Sequence, residues 1–318
     1  MSSNKHILWR GCLVLIFLSW VVFPALVLAH KGELSSPQGW WTTWSWEPGV
    51  ILSLVLSGWL YGRGVRLLWS VSSLGHGLRR WEVLAFAGGW LSLWVALVSP
   101  LHALGQVLFS VHMTQHEVLM LVAAPLLVLG RPLIAFMWGL PLAWRRTMAH
   151  WSKGTGVQAG WHIVTTPLIA WLLHAAALWV WHAPVLFQAT LASEFVHTLQ
   201  HCSFLFSALL FWWALIHGRH RLMRYGAAVL YVFTTSIHSG ALGALLTFAS
   251  TLWYPAYQKT TAWWGLTPLE DQQLGGLIMW VPAGVVYLIA GLILFTCWLR
   301  EAEEQEQQQE SHLLLKRA

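Results

Sequence analysis

Apolar positions along this chain come in long, nearly charge-free blocks rather than at the three-and-four spacing of a half-buried helix. The first block, Gly11 to Leu28, follows Lys5 and Arg10 and ends in Val27-Leu28-Ala29, ahead of the polar His30-Lys31-Gly32-Glu33. A basic start, a short apolar stretch and a small residue at its end have the form of a secretory signal, so residues 1–29 are expected to be a cleaved signal peptide. Cleavage after Ala29 makes His30 the mature N-terminus, with an amine and an imidazole able to chelate a metal together. The alternative is an uncleaved first span with a solvated His30. Seven further blocks, near 48–66, 81–99, 111–130, 162–182, 195–216, 226–249 and 274–299, approach the roughly 20 residues a helix needs to cross the hydrocarbon. The pattern predicts an all-α integral membrane bundle of seven transmembrane helices over residues 30–299, followed by a polar Glu/Gln-rich tail over 300–318.

Composition agrees and narrows the function classes. Hydrophobic residues make up 57% of the chain and charged ones 9%, where a soluble domain carries charge at roughly a quarter of its positions. The net charge of +6 therefore says less than the placement of the basic residues, and no nucleic-acid partner is expected. Arg63, Arg66, Arg79 and Arg80 fall in the first connection between spans and Arg131, Arg145, Arg146 and Lys153 in the third. Arg219, Arg221 and Arg224 fall in the fifth, and Arg300, Lys316 and Arg317 after the last block. Only Lys31 and Lys259 fall on the other side, so the mature N-terminus is expected outside and the C-terminus in the cytoplasm. Pro132 to Trp151, apolar and basic together, reads as a helix lying along the inner surface. The outer connection 250–267 carries Trp253, Tyr254, Tyr257, Trp263 and Trp264, as expected of aromatic residues at a membrane interface. Thr267-Pro268-Leu269-Glu270 has the form of a helix start, with an N-cap, proline at the first position and glutamate at the third.

With depth assigned, the histidines sort into groups. The third and fifth spans both run inward and both open on the same pattern, His112-Met113-Thr114-Gln115-His116 and His197-Thr198-Leu199-Gln200-His201. Residues four apart share a helix face and stand about 6 Å apart along the axis, so each motif aims two imidazoles one way at one shallow level. His182 at the outer end of the fourth span and His102 in an outer loop join them. Met113, Met120 and Met279 offer thioethers, and Glu117, Glu194 and Asp271 offer carboxylates. Imidazole with thioether suits copper, and imidazole with carboxylate also accepts zinc. The plainer reading is that these histidines hydrogen-bond neighbouring helices, but two matched pairs at one depth favour a ligand role over packing. His174 and His238 lie deeper, as a second site, a path or an interhelical hydrogen bond. Gly275 and Gly276 are expected to let the last span pack closely.

Cys12, Cys202 and Cys297 stand far apart, so no thiolate pair is expected. No HExxH, phosphate-binding glycine loop or nucleophile elbow is present, so hydrolytic and ATP-driven catalysis have no motif to rest on.

From about Trp46 to Trp298 the chain resembles the polytopic CtaG-type cytochrome c oxidase assembly factors. The likeness rests on Phe109 to His116 followed by Ala124-Pro125-Leu126-Leu127-Val128-Leu129-Gly130, on Trp179-Val180-Trp181-His182-Ala183-Pro184, and on His197 to His201. It also rests on Tyr254-Pro255-Ala256-Tyr257 and on Pro268 to Trp280. One departure is Gln200, where the pattern leads to an acidic residue between the paired histidines. The resemblance implies a non-enzymatic protein of the bacterial cytoplasmic membrane, surrounded by lipid and partnered by oxidase subunits, that helps mature a heme-copper oxidase at its copper centres. On this reading His112, His116, His197, His201, His182 and Met113 hold copper, with His30, His102, His174, His238, Asp271 and Met279 as additional ligands. A heme-binding cytochrome, a copper permease and a purely structural partner remain as alternatives.

Overall fold

The computed structural model describes residues 38–317 apart from 73, 74, 76, 152, 153 and 219–222. The expected signal peptide and His30 lie outside the described residues. Among the described residues the fold is all-α, with no strand.

Among the described residues five helices are long and apolar enough to cross a membrane: Pro48–Ser72 (α1), the continuous run Phe109–Leu129, Glu194–His217 (α11), Tyr225–Thr247 (α12) and the start of Pro268–Arg317 (α13). Their outward faces are apolar, with Leu52, Leu230 and Leu288 each more than half exposed. Between them lie Arg80–Leu97 (α2) and the short Pro100–Gly105 (α3). The run 109–129 comprises Phe109–Glu117 (α4), a π-helical segment Val118–Ala123, and Ala124–Leu129 (α5). The wide π turns loosen backbone pairing, and the Trp212 indole of α11 donates to the Met120 carbonyl at 2.9 Å.

Three stretches differ from the hydropathy reading. The block 162–182 is two helices, Thr155–Val164 (α8) and Pro167–Trp181 (α9), bent by 64°. Pro167 lacks the N–H that would continue the ladder and pushes Thr166 into extended geometry (ψ 131°). Pro132 to Trp151 is likewise two helices, Pro132–Gly139 (α6) and Leu142–Trp151 (α7), broken before Pro141. Instead of lying along a surface, α6 buries Leu133, Ala135 and Phe136, packing into α1 where the backbone of Ala135 crosses Gly64. The expected second span, α2, has 18 residues and is not among the five.

The helix start at Thr267 forms as a reciprocal box. Thr267 N and Oγ1 each donate to Glu270 Oε2 at 2.8 Å, and Glu270 N donates back to Thr267 Oγ1 at 3.2 Å. From there α13 packs along α12 and against α4. A side chain at Gly276 would come within 2.5 Å of Thr247 N and 2.7 Å of Gly243 O, and one at Gly275 within 2.4 Å of the Phe109 ring. The glycine pair lets α13 lie against both neighbours, as its spacing predicts.

Because the obstacle at Gly276 is backbone, Gly276→Val is expected to destabilise the bundle by about 1–3 kcal/mol, the usual cost of overpacking. Gly284→Ala, with nothing within 4 Å of the new atom, should stay within about 0.5 kcal/mol of the parent. Thermal unfolding of the two variants in one detergent checks both.

Candidate metal centre

The Asp271 carboxylate at the head of α13 accepts hydrogen bonds from Phe109 N (2.6 Å), Ser110 N (3.1 Å) and Ser110 Oγ (2.5 Å). These are among the first amides of α4, which have no partner inside the helix, and a carboxylate is the strongest group to satisfy them. Asp271 thus sets the start of the helix that carries the first histidine pair, and it is placed on backbone rather than among the imidazoles.

Helices α4–α5 and α11 run side by side and pack closely through the π segment and α5, while their N-terminal ends stand further apart. Imidazoles fill the gap. Ring centroids are 4.4 Å apart for His112 and His116, 4.2 Å for His197 and His201, 5.3 Å for His112 and His197, and 5.2 Å for His116 and His201. All four are buried. His112, His197 and His201 each present a ring nitrogen such that the three lie within 4.8 Å of one another.

Surrounding polar groups orient the rings. His112 Nδ1 lies 3.2 Å from the Gly105 carbonyl and Nε2 3.4 Å from Gln200 Oε1, two acceptors for a neutral ring that has a single proton, so one of its nitrogens keeps a lone pair. Tyr257 Oη donates to the same carbonyl at 3.0 Å and lies 3.4 Å from His112 Nδ1. Gln106 Nε2 approaches His197 Nδ1 at 3.4 Å. Among the described residues His197 Nε2, His201 Nε2 and both nitrogens of His116 are buried without a hydrogen-bond partner. An unsatisfied buried polar atom costs about 1–3 kcal/mol, so this pattern suits groups kept ready for a ligand.

His102 joins the group from α3, stacked on His197 at 5.4 Å and 3.6 Å from the Glu47 carboxylate. Burial drives its pKa down to about 4, with His197 acting the same way, so the ring is neutral near pH 7. Burial raises Glu47 above its ordinary range, reinforced by Glu194 and opposed by His197. Glu47, Glu194, His102, His197 and His201 line the polar end of a groove between α1 and α11 whose remainder is leucine-rich.

His182 stands between α9 and the short helix Pro184–Ala192 (α10) and lies 6.2 Å from His116, with Nε2 at 3.4 Å from Met113 Sδ. His174 and His238 stand elsewhere. His174 Nδ1 bonds Ser207 Oγ at 3.2 Å between α9 and α11, and His238 meets the edge of Trp171 at 5.2 Å. Met279 is buried in the core.

Glu47, Gln106 and two tyrosines enter the site without having been singled out for it. Tyr254 and Tyr257, expected at the membrane interface, are buried to 1% exposure and roof the cluster. Tyr254 stacks on Phe109 at 4.7 Å and donates to the His182 carbonyl at 2.8 Å. The Tyr-Pro-Ala-Tyr spacing was the signal: proline opens the short helix Pro255–Lys259, and a tyrosine stands on either side of its first turn.

Fold and site together define a polytopic helical protein, apolar outside, that encloses a dense imidazole cluster near one end. Compared with known proteins, residues 59–301 match the family described as cytochrome c oxidase caa3 assembly factor (Caa3_CtaG), and the chain belongs to that family. It is also 28% identical, over 93% of its own length and 45% of theirs, to Uncharacterized protein Mb0105 of Mycobacterium bovis and Uncharacterized protein MT0111 of Mycobacterium tuberculosis. With Uncharacterized protein ML1998 of Mycobacterium leprae it shares 25% identity over 70% of this chain and 35% of that one. The chain thus spans less than half the length of these curated relatives. No solved structure matches.

Replacing Asp271 by alanine leaves the first amides of α4 without their acceptor and is expected to destabilise the metal-free protein by about 2 kcal/mol or more. Asp271→Asn, which keeps one acceptor oxygen, should lose less. Unfolding of the metal-free variants measures this, and an Asp271→Ala protein as stable as the parent would contradict the capping role.

Proposed function

We propose that this chain holds a copper ion at His112, His197 and His201 and passes it to a cytochrome c oxidase subunit during assembly, without acting as an enzyme. The observation that carries this reading is the convergence of three buried ring nitrogens within 4.8 Å, two of the three imidazoles having an Nε2 with no hydrogen-bond partner. Three imidazoles suit copper, and the nearby Met113 thioether weights the choice away from zinc. The family supplies the oxidase as client. An ion in transit needs a coordination shell that can be opened, and the groove reaching His197 and His201 gives a partner that approach.

The finer topology belongs to the same reading. Counting α2 and the bent α8–α9 pair as spans gives seven, with the histidine end outside, the C-terminus in the cytoplasm and residues 1–29 as a signal peptide of a bacterial inner-membrane protein. A heme would need a flat slot between two axial imidazoles. The space around His112 and His201 is instead occupied by the rings of His116, His197 and His102, which favours a bare ion.

Purified full-length protein titrated with Cu(II) should bind about one equivalent at this centre, and His112→Ala/His201→Ala should abolish it. The same double variant should fail to restore oxidase activity in a strain lacking the protein. Unchanged Cu(II) binding in the double variant would reject the site.

A further inference from the structure

Beside the triad, His182 and Met113 pose a separate chemical problem. His182 Nδ1 lies 2.6 Å from the Leu178 carbonyl, an oxygen that can only accept, so the single proton of the neutral ring is on Nδ1. Nε2 is then a lone pair, and it faces Met113 Sδ at 3.4 Å. A thioether has no proton either. Two lone pairs therefore confront one another in a pocket where His182 is 1% and Met113 0% exposed. The rings around them are Phe187, Phe204 and His116; the two phenyl rings have no donor to offer, and neither nitrogen of His116 makes a hydrogen bond.

We propose that Met113 Sδ, His182 Nε2 and His116 form a second, softer metal site for a monovalent coinage-metal ion, Cu(I) in the cell. A cation between the nitrogen and the sulfur turns the unfavourable contact into two bonds. With metal–nitrogen and metal–sulfur distances of about 2.0 and 2.3 Å at a tetrahedral angle, the two ligand atoms stand roughly 3.5 Å apart, close to the separation observed. His116 completes the site. Both its nitrogens are buried without partners, and its ring lies between the two groups, 6.2 Å from His182 and 5.2 Å from His201.

The ligand types differ between neighbours, and so does the ion each prefers. Three imidazoles at His112, His197 and His201 suit a divalent ion, whereas a thioether with one or two imidazoles selects the monovalent one. The imidazole triad would still take copper in either oxidation state, and the thioether site beside it only Cu(I). Naming copper rests on the function proposed above; the lone-pair geometry stands without it.

The test uses the full-length protein in detergent, loaded anaerobically with Cu(I) against a competing chelator, with Ag(I) as a second probe. The parent is expected to bind two equivalents of Cu(I), and its copper X-ray absorption should show a sulfur scatterer at about 2.3 Å. Met113→Leu, a volume-conserving change, should bind one equivalent with nitrogen scatterers only. His112→Ala/His201→Ala should keep one equivalent together with the sulfur scatterer. A Cu(I)-loaded parent with nitrogen scatterers alone overturns the second site whatever the variants do, and so does Met113→Leu with both equivalents intact. If instead the histidine double variant keeps both equivalents, the triad fails and the thioether site stands.

Discussion

One carboxylate fixes where the imidazole cluster begins. Asp271 takes the first free amides of α4 together with the Ser110 hydroxyl, and so joins the head of the last helix to the head of the helix bearing His112 and His116. Inside a bundle such a bond is hard to replace, because unpaired helix ends have little water to turn to. The contact also works with Gly275, where the missing side chain lets α13 come against Phe109 and Met113. Cap and close approach together decide how far α4 projects and which way its histidines turn.

From that anchor the polar groups divide by task. Gly105, Tyr257 and Gln106 address the Nδ1 atoms of His112 and His197, and Leu178 does the same for His182. An acceptor that takes the proton of one ring nitrogen, as Leu178 does for His182, defines the other as donor of a lone pair, the usual way a histidine is prepared for a metal, whereas the Gln106 amide, a donor, calls for the lone pair of His197 on Nδ1. Gln200 between the second pair is neutral, so it brings hydrogen-bonding capacity to His112 without adding charge to a buried site. The acidic groups, Glu47 and Glu194, are kept to the groove.

Much of this was legible in the residues, for a physical reason in each case. Long apolar blocks report exposure to lipid, which is why α1, the run from Phe109 to Leu129, α11, α12 and α13 were foreseen. Paired histidines at i and i+4 report a shared face, and two such pairs do meet. The Thr267 box and the Gly275-Gly276 contact are local or steric, so spacing sufficed. What escaped depended on direction or on tertiary partners. Hydropathy sums over 162–182 are blind to the turn that Pro167 imposes. The apolar half of Pro132 to Trp151 had a protein partner in α1, which composition does not distinguish from a membrane surface. Tyr254 and Tyr257 fit an interfacial belt by type, and only the fold shows that they cover the cluster.

The π segment between Glu117 and Ala124 bears on how such a helix can vary. Each π turn holds one residue more than an α turn, so the faces above and below it fall out of phase with a 3.6-residue count. His112 and His116 are thereby angularly decoupled from Leu127 and Val128, which pack in the core further along. Because the wider turns absorb one extra residue, losing one residue from Val118–Ala123 would wind the segment back to α geometry and leave the two halves in nearly the same relative orientation. The spacing between the His112–His116 pair and Ala124-Pro125 can accordingly shorten by that one residue with the histidine face kept in place, whereas a change the π turns do not absorb would turn the pair by about 100° per residue.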